Sequence, residues 1–275
     1  MGKISASEVN KLRKMTGAGM MDCKKALTTT DGNFDEAIKV IREKGQAIAN
    51  KRSDREATEG VALSKISADS KLGVIIAVNC ETDFVAKNES FINFAKSILD
   101  LALENNPADL DALKNLELNG KTVAENIIEQ TGIIGEKVDL SYYDKIADSQ
   151  IAAYIHSDKK LATLISLNKD GVDEQIGKDV AMQVAAMNPI SLDKDDVPQK
   201  VIDTELEIGK KQALAEGKPE NLIEKIAMGK LGKYYKENTL INQTFIKDNK
   251  MTVKQYLQSA DKDLTVTAFK RFSLK

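Results

Sequence analysis

Val74-Ile75-Ile76-Ala77-Val78-Asn79-Cys80-Glu81-Thr82-Asp83-Phe84-Val85-Ala86-Lys87-Asn88 carries three structural signals in succession. The unbroken apolar run Val74–Val78 reads as a buried strand. Beyond Asn88, Phe91, Phe94, Ala95 and Ile98 recur with the period of one helix face. Between the two, Thr82-Asp83 has the chemistry of a helix cap, because a short side-chain oxygen accepts from free backbone N–H groups. That places Phe84 on a turn at the end of a strand, beside a carboxylate. Two readings follow. An apolar ring next to an acid on a turn suits insertion into a partner's pocket; alternatively, Phe84 is a core residue and Asp83 only a cap. The spacing leaves both open.

Towards the N-terminus, three short helices are expected within residues 1–45. Ser5 and Glu8 have capping-box spacing, and Val9, Leu12 and Met15 form a face that Gly17 and Gly19 interrupt. A second helix runs through Asp22, Ala26 and Leu27, and a third carries Phe34, Ala37, Ile38 and Ile41 and stops at Gly45. Thr16-Gly17-Ala18-Gly19 fails as a phosphate loop, since no strand precedes it and no Gly-Lys-Ser/Thr follows at the required spacing. It reads as a tight turn between helices. A bundle this small buries little, so its exposed apolar residues suit a partner helix. Asn50–Glu59 holds six charged residues in ten, which puts a domain boundary near residue 54.

From Gly60 the period changes to that of strands. Val61 and Leu63 alternate with polar neighbours, Ala68-Asp69-Ser70-Lys71 is a turn, and the 74–78 strand returns. The following helix fades at Asn105-Asn106-Pro107. Helical pieces at Leu110–Leu116 and Val123–Ile128 precede Ile134-Gly135-Glu136 and a strand near Val138-Asp139-Leu140. The order then recurs: a strand at Ile151–His156, a turn at Ser157–Lys160, a strand at Leu161–Leu167, and a helix through Val180, Val184 and Met187 ending at Asn188-Pro189. Hairpin, helix and Asn-Pro appear twice, a weak internal repeat of two α+β subdomains. Val197–Ala215 and Glu220–Lys236, separated by Gly217 and Pro219, predict a helical hairpin. A short helix through Tyr256 and Leu257 and a strand Leu264–Phe272 close the chain. The expected domains are residues 1–54, 55–140 and 141–275, the last including the hairpin at about 195–236.

Composition limits the chemistry. Forty basic and forty-two acidic residues among 275 give a net charge of −2, so no global basic field attracts nucleic acid. No apolar run approaches the roughly 18 residues of a membrane span, and the N-terminus lacks a signal peptide's apolar region, which predicts a cytoplasmic protein without a membrane partner. Cys23 and Cys80 lack metal-ligand spacing and read as small buried hydrophobes. His156 is the one histidine, and no dinucleotide fingerprint or P-loop is present. A non-enzymatic binding protein without metal or cofactor is expected.

Glu81-Thr82-Asp83-Phe84-Val85-Ala86-Lys87-Asn88 resembles the signature of the elongation factor Ts family, the guanine-nucleotide exchange factors of elongation factor Tu. Met15-Thr16-Gly17-Ala18-Gly19-Met20-Met21-Asp22-Cys23-Lys24-Lys25-Ala26-Leu27 resembles that family's other signature. The resemblance implies a ubiquitin-associated-like three-helix bundle, then a core of two related α+β subdomains with antiparallel sheets and a protruding helical hairpin. It implies binding to elongation factor Tu, GDP-bound and nucleotide-free, and release of GDP by disturbing the Mg2+ and phosphate-binding site. Thr82, Asp83, Phe84 and Val85 would enter the partner near its Mg2+ site, with Phe84 wedged between helices. Met20, in the N-terminal signature, and His156, matching a histidine of the family's second subdomain, are implied as further contacts, and the hairpin as a surface for a homodimer. The chain departs from the family pattern in three places. Ser157-Asp158-Lys159-Lys160-Leu161-Ala162-Thr163-Leu164 replaces a glycine-containing turn and Ile-Gly-Val-Leu. Ser141-Tyr142 replaces an arginine pair, and no glycine-glutamate segment with a final helix follows Arg271-Phe272, so contacts of that tail are expected to be absent. An adaptor or RNA-binding translation-associated protein is the alternative, disfavoured by the near-neutral charge; an enzyme built on His156 ranks third.

Overall fold

The computed structural model describes residues 4–274. Helix α1 (Ala6–Thr16) begins with the expected capping box: the Ser5 N–H donates to the Glu8 carboxylate at 2.7 Å, and the Glu8 N–H donates back to Ser5 Oγ at 3.2 Å. It ends at Gly17, whose φ of 68° favours a residue without Cβ and lets its N–H return to the Arg13 carbonyl. Helices α2 (Met20–Thr29) and α3 (Phe34–Arg52) follow, the latter capped by the Asn33 side chain. Val9, Leu12, Ala18, Cys23, Ala26, Leu27 and Ala37 form one buried cluster.

Strands β1 (Glu59–Ile66) and β2 (Leu72–Cys80) form a hairpin, with the Ser67 N–H donating to the Leu72 carbonyl at 2.8 Å. A one-turn helix α4 (Asp83–Ala86) leads into α5 (Glu89–Asn105). Asn106 closes α5 in the left-handed region at φ 46°, just ahead of Pro107. After α6 (Leu110–Lys114) and the two-residue strands β3 (Glu117–Leu118) and β4 (Lys121–Thr122) comes α7 (Val123–Ile134). This helix runs past the expected end at Ile128.

Helix α7 corrects the expectation that α3 stops at Gly45. Helix α3 continues through Gly45 to Arg52 because that glycine serves a helix crossing, not a terminus. A Cβ on Gly132 of α7 would collide with the Gly45 backbone, so the two helices meet where neither carries a side chain. A mid-helix glycine costs roughly 0.5–1 kcal/mol relative to alanine, a penalty this approach offsets.

The remaining α-helices and strands are β5 (Asp139–Ala147), β6 (Gln150–Ile155), β7 (Leu161–Leu167), α8 (Glu174–Met187), α9 (Gln199–Ala215), α10 (Glu220–Asn238), β8 (Thr244–Phe245), β9 (Asp248–Thr252), α11 (Val253–Ala260) and β10 (Val266–Ser273). Two three-stranded sheets have the orders β1-β2-β5 and β6-β7-β10. Both β6 and β10 pair antiparallel with β7, and Thr163 lies opposite Tyr154 on one side and Arg271 on the other. Helix α8 ends at Asn188 with φ 44°, ahead of Pro189, matching the end of α5. The repeat is therefore deeper than its sequence signal. Each copy is a hairpin, a helix closed by a left-handed Asn before Pro, and a third strand added beside the hairpin's second strand. In the second copy the α9–α10 hairpin is inserted before the third strand, its helices in close contact at Gly209 and Ala227.

By internal contacts the described residues fall into two compact units. One comprises those of Met1–Leu63, Ile76–Asp144 and Leu274–Lys275; the other comprises Ser64–Ile75 and Lys145–Ser273. Phe91, Ile98, Leu113 and Leu140 are fully buried in the first. Ile165, Leu167, Val180, Val184, Leu240, Phe245, Val253 and Leu257 pack together in the second. Among the described residues no helix is long and apolar enough to cross a membrane.

Candidate functional site

The burial of β2 positions the site. Val74–Val78 and Cys80 are fully buried, so the chain leaves the sheet at a fixed point, and Glu81 is the first residue released from it. Thr82 caps α4, its Oγ1 accepting from the Val85 N–H at 3.5 Å. Phe84, one residue into that turn, is 84% exposed. The core reading of Phe84 is therefore overturned: the ring stands in solvent, and Ala86 is the residue of α4 that is buried. Asp83 pairs with Lys87 at 2.6 Å across one helical turn, with the lysine largely in water and the aspartate about half so. An exposed pair of this kind contributes little and exchanges partners readily. Val85 is half-buried beside them.

The base of the turn is held more firmly than its tip. Glu81 accepts from Arg52 Nη1 at 2.7 and 2.8 Å and from the Lys137 N–H at 2.6 Å. The Lys137 N–H, together with the Arg52 guanidinium, holds the Glu81 carboxyl below the usual carboxylate range. Glu136 in turn accepts from the Thr82 N–H at 3.0 Å and the Thr82 hydroxyl at 2.7 Å. The dipeptides Glu81-Thr82 and Glu136-Lys137 thus exchange carboxylates, each accepting the N–H of the other's second residue. The Lys137 ammonium closes the arrangement by donating to the carbonyls of Ser53 and Arg55, just past the end of α3. The Cys80 thiol donates to the Thr82 carbonyl at 3.2 Å; burial, with the Glu136 charge, pushes it up to about 12, so it is not a nucleophile at neutral pH.

The sequence singles out Thr82–Val85 but not Arg52, Glu81, Glu136 or Lys137. The available signal was Gly135, at φ 77°, turning the chain between a helix and a strand and so placing Glu136 at a junction. Met20 opens α2 in the same unit, 54% exposed, with Met15 and Met21 exposed as well. His156 belongs to the other unit. It follows β6, exposed, with Nδ1 3.1 Å from the Tyr154 hydroxyl and its N–H donating to the Leu161 carbonyl, so its geometry is that of a strand-end turn. Among the described residues no three His, Cys, Asp or Glu side chains are grouped to hold a metal ion.

Comparison with known proteins bears on this arrangement. A family model described as Elongation factor TS matches residues 81–275, beginning at the residue where the candidate turn begins. Over the whole of both chains, the sequence is 50% identical to the elongation factor Ts of Flavobacterium psychrophilum and 49% identical to that of Cytophaga hutchinsonii. It is 52% identical to that of Amoebophilus asiaticus over 98% of each chain.

Proposed function

The chain belongs to the elongation factor Ts family of translation elongation factors, and we propose that it binds elongation factor Tu and promotes GDP release by presenting Phe84 and its turn to the nucleotide site. No bond is made or broken by such a factor. It needs only to bind the nucleotide-free GTPase more tightly than the loaded one, and the coupling is reciprocal. In the GTPase, Mg2+ and the phosphate-binding loop hold the diphosphate, so disturbing either loosens it. The observation that carries the reading is the largely exposed Phe84 on a turn anchored at its base. Burying that ring in the partner gains about 1.5–3 kcal/mol. If gained only in the nucleotide-free complex, that is roughly one to two decades of coupling. In this reading Thr82 and Val85 frame the ring, while Asp83 exchanges Lys87 for groups around the partner's Mg2+.

One side chain does not supply all the affinity, and the exposed Met15, Met20 and Met21 offer an apolar docking face. We assign His156, exposed at its strand end, to the same partner. The α9–α10 hairpin, with Ile208, Leu214, Leu222 and Met228 exposed, is the surface through which a homodimer would form. The family and the lack of a membrane-crossing helix among the described residues support action in the cytoplasm. Release of a fluorescent GDP analogue from elongation factor Tu tests the reading: acceleration by the wild type and loss of most of it in Phe84→Ala are expected. Full acceleration by Phe84→Ala would move the site elsewhere.

A further inference from the structure

We propose that Glu136 is a positioning residue for exchange: its carboxylate fixes the direction from which Phe84 is presented, a role that rests on the reading of Phe84 as the inserted side chain. The turn itself is weak. Helix α4 has four residues, far below the length at which a helix holds itself in water. Its cap bond, from the Val85 N–H to Thr82 Oγ1, is 3.5 Å long, at the outer limit for a hydrogen bond. Phe84, mostly in water, has little packing to orient it.

The two bonds to Glu136 are of a different quality. At 3.0 and 2.7 Å, they fix the Thr82 backbone and the Thr82 side-chain rotamer together, from one carboxylate 54 residues away in sequence. Acceptance by a carboxylate strengthens both. A Thr82 hydroxyl that donates to Glu136 keeps a lone pair for the Val85 N–H, so the same rotamer serves the cap. The carboxylate is itself held in place, because Gly135 turns the chain at the end of α7 and the Lys137 N–H is committed to Glu81. Without Glu136, the Thr82 rotamer is held only by the long cap bond, and Phe84 occupies the competent direction only part of the time. The maximal release rate falls by that fraction, while the concentration giving half-maximal effect, set by the wider docking surface, stays near its wild-type value.

The chain contains no tryptophan, so Phe84→Trp places a single fluorescent reporter at the tip of the turn. In the free protein, adding Glu136→Ala to that variant is expected to speed the local anisotropy decay, with Glu136→Gln, which keeps one acceptor oxygen, falling between. In GDP release from elongation factor Tu, Glu136→Ala is expected to lower the maximal rate about tenfold. Combining it with Phe84→Ala should cost no more than Phe84→Ala alone. Unchanged anisotropy in Glu136→Ala and Glu136→Gln would overturn the proposal, as would losses that multiply in the double variant. Faster anisotropy decay with release untouched in both Phe84→Ala and Glu136→Ala would instead overturn the reading of Phe84, and with it any role of Glu136 in exchange.

Discussion

Phe84 and Glu81 are three residues apart and meet opposite demands. The exposed Phe84 ring contributes almost nothing to the fold, so Phe84→Ala should change stability by no more than about 0.5 kcal/mol in a denaturant titration. A larger loss would mean that the ring packs on its own protein. Glu81 is the converse case, a carboxylate committed to Arg52 and the Lys137 N–H. Its pKa is depressed in the folded protein, so its contribution is fully present above the unfolded value near 4.5 and is lost as pH falls through the lower folded value. The stability gap between wild type and Glu81→Gln should therefore be flat between about pH 6 and 7 and shrink at pH values below 4.5. A gap that widens on acidification would contradict the assigned partners.

At the scale of elements, the α3–α7 crossing makes a paired prediction. Gly132→Ala forces a Cβ into the Gly45 backbone, which cannot swing aside as a side chain can, and should destabilise by roughly 1–3 kcal/mol. Gly229→Ala in α10 meets open space and should stabilise by roughly 0.5–1 kcal/mol through helix propensity. Thermal unfolding of the two variants checks the contrast; equal effects would remove the reason given for Gly45 within a helix. That glycine also marks the limit of reading sequence locally. Caps, periods and the Asn-Pro helix ends depend on neighbouring residues, which is why the capping box at Ser5, the hairpin at Ser67 and the two Asn-closed helices were legible. Whether Gly45 ends a helix or lets another approach depends on Gly132, far along the chain. The same holds at the site. A cap at Thr82 could be read from residue type, but the exposure of Phe84 depends on which way the turn leaves the sheet. The Glu136 anchor depends on a loop 54 residues away. The third strands β5 and β10 turn a weak sequence repeat into a shared topology, since strand order cannot be read from strand pattern.

For the whole molecule, an exchange factor is defined by linkage rather than by a reacting group. If the chain weakens GDP binding to elongation factor Tu by some factor, saturating GDP must weaken the chain's own binding by the same factor. Titration calorimetry with and without GDP should return equal factors, and unequal ones would show that the two ligands do not share a ternary complex. Phe84→Ala should reduce both factors together. The most direct test of the exchange role is the rate at which a fluorescent GDP analogue leaves elongation factor Tu as the concentration of this protein is raised. An exchange role predicts a saturating acceleration with the wild type, and a maximum at least about tenfold lower with Phe84→Ala. No acceleration by the wild type, with a partner shown to bind and exchange nucleotide normally, would contradict it.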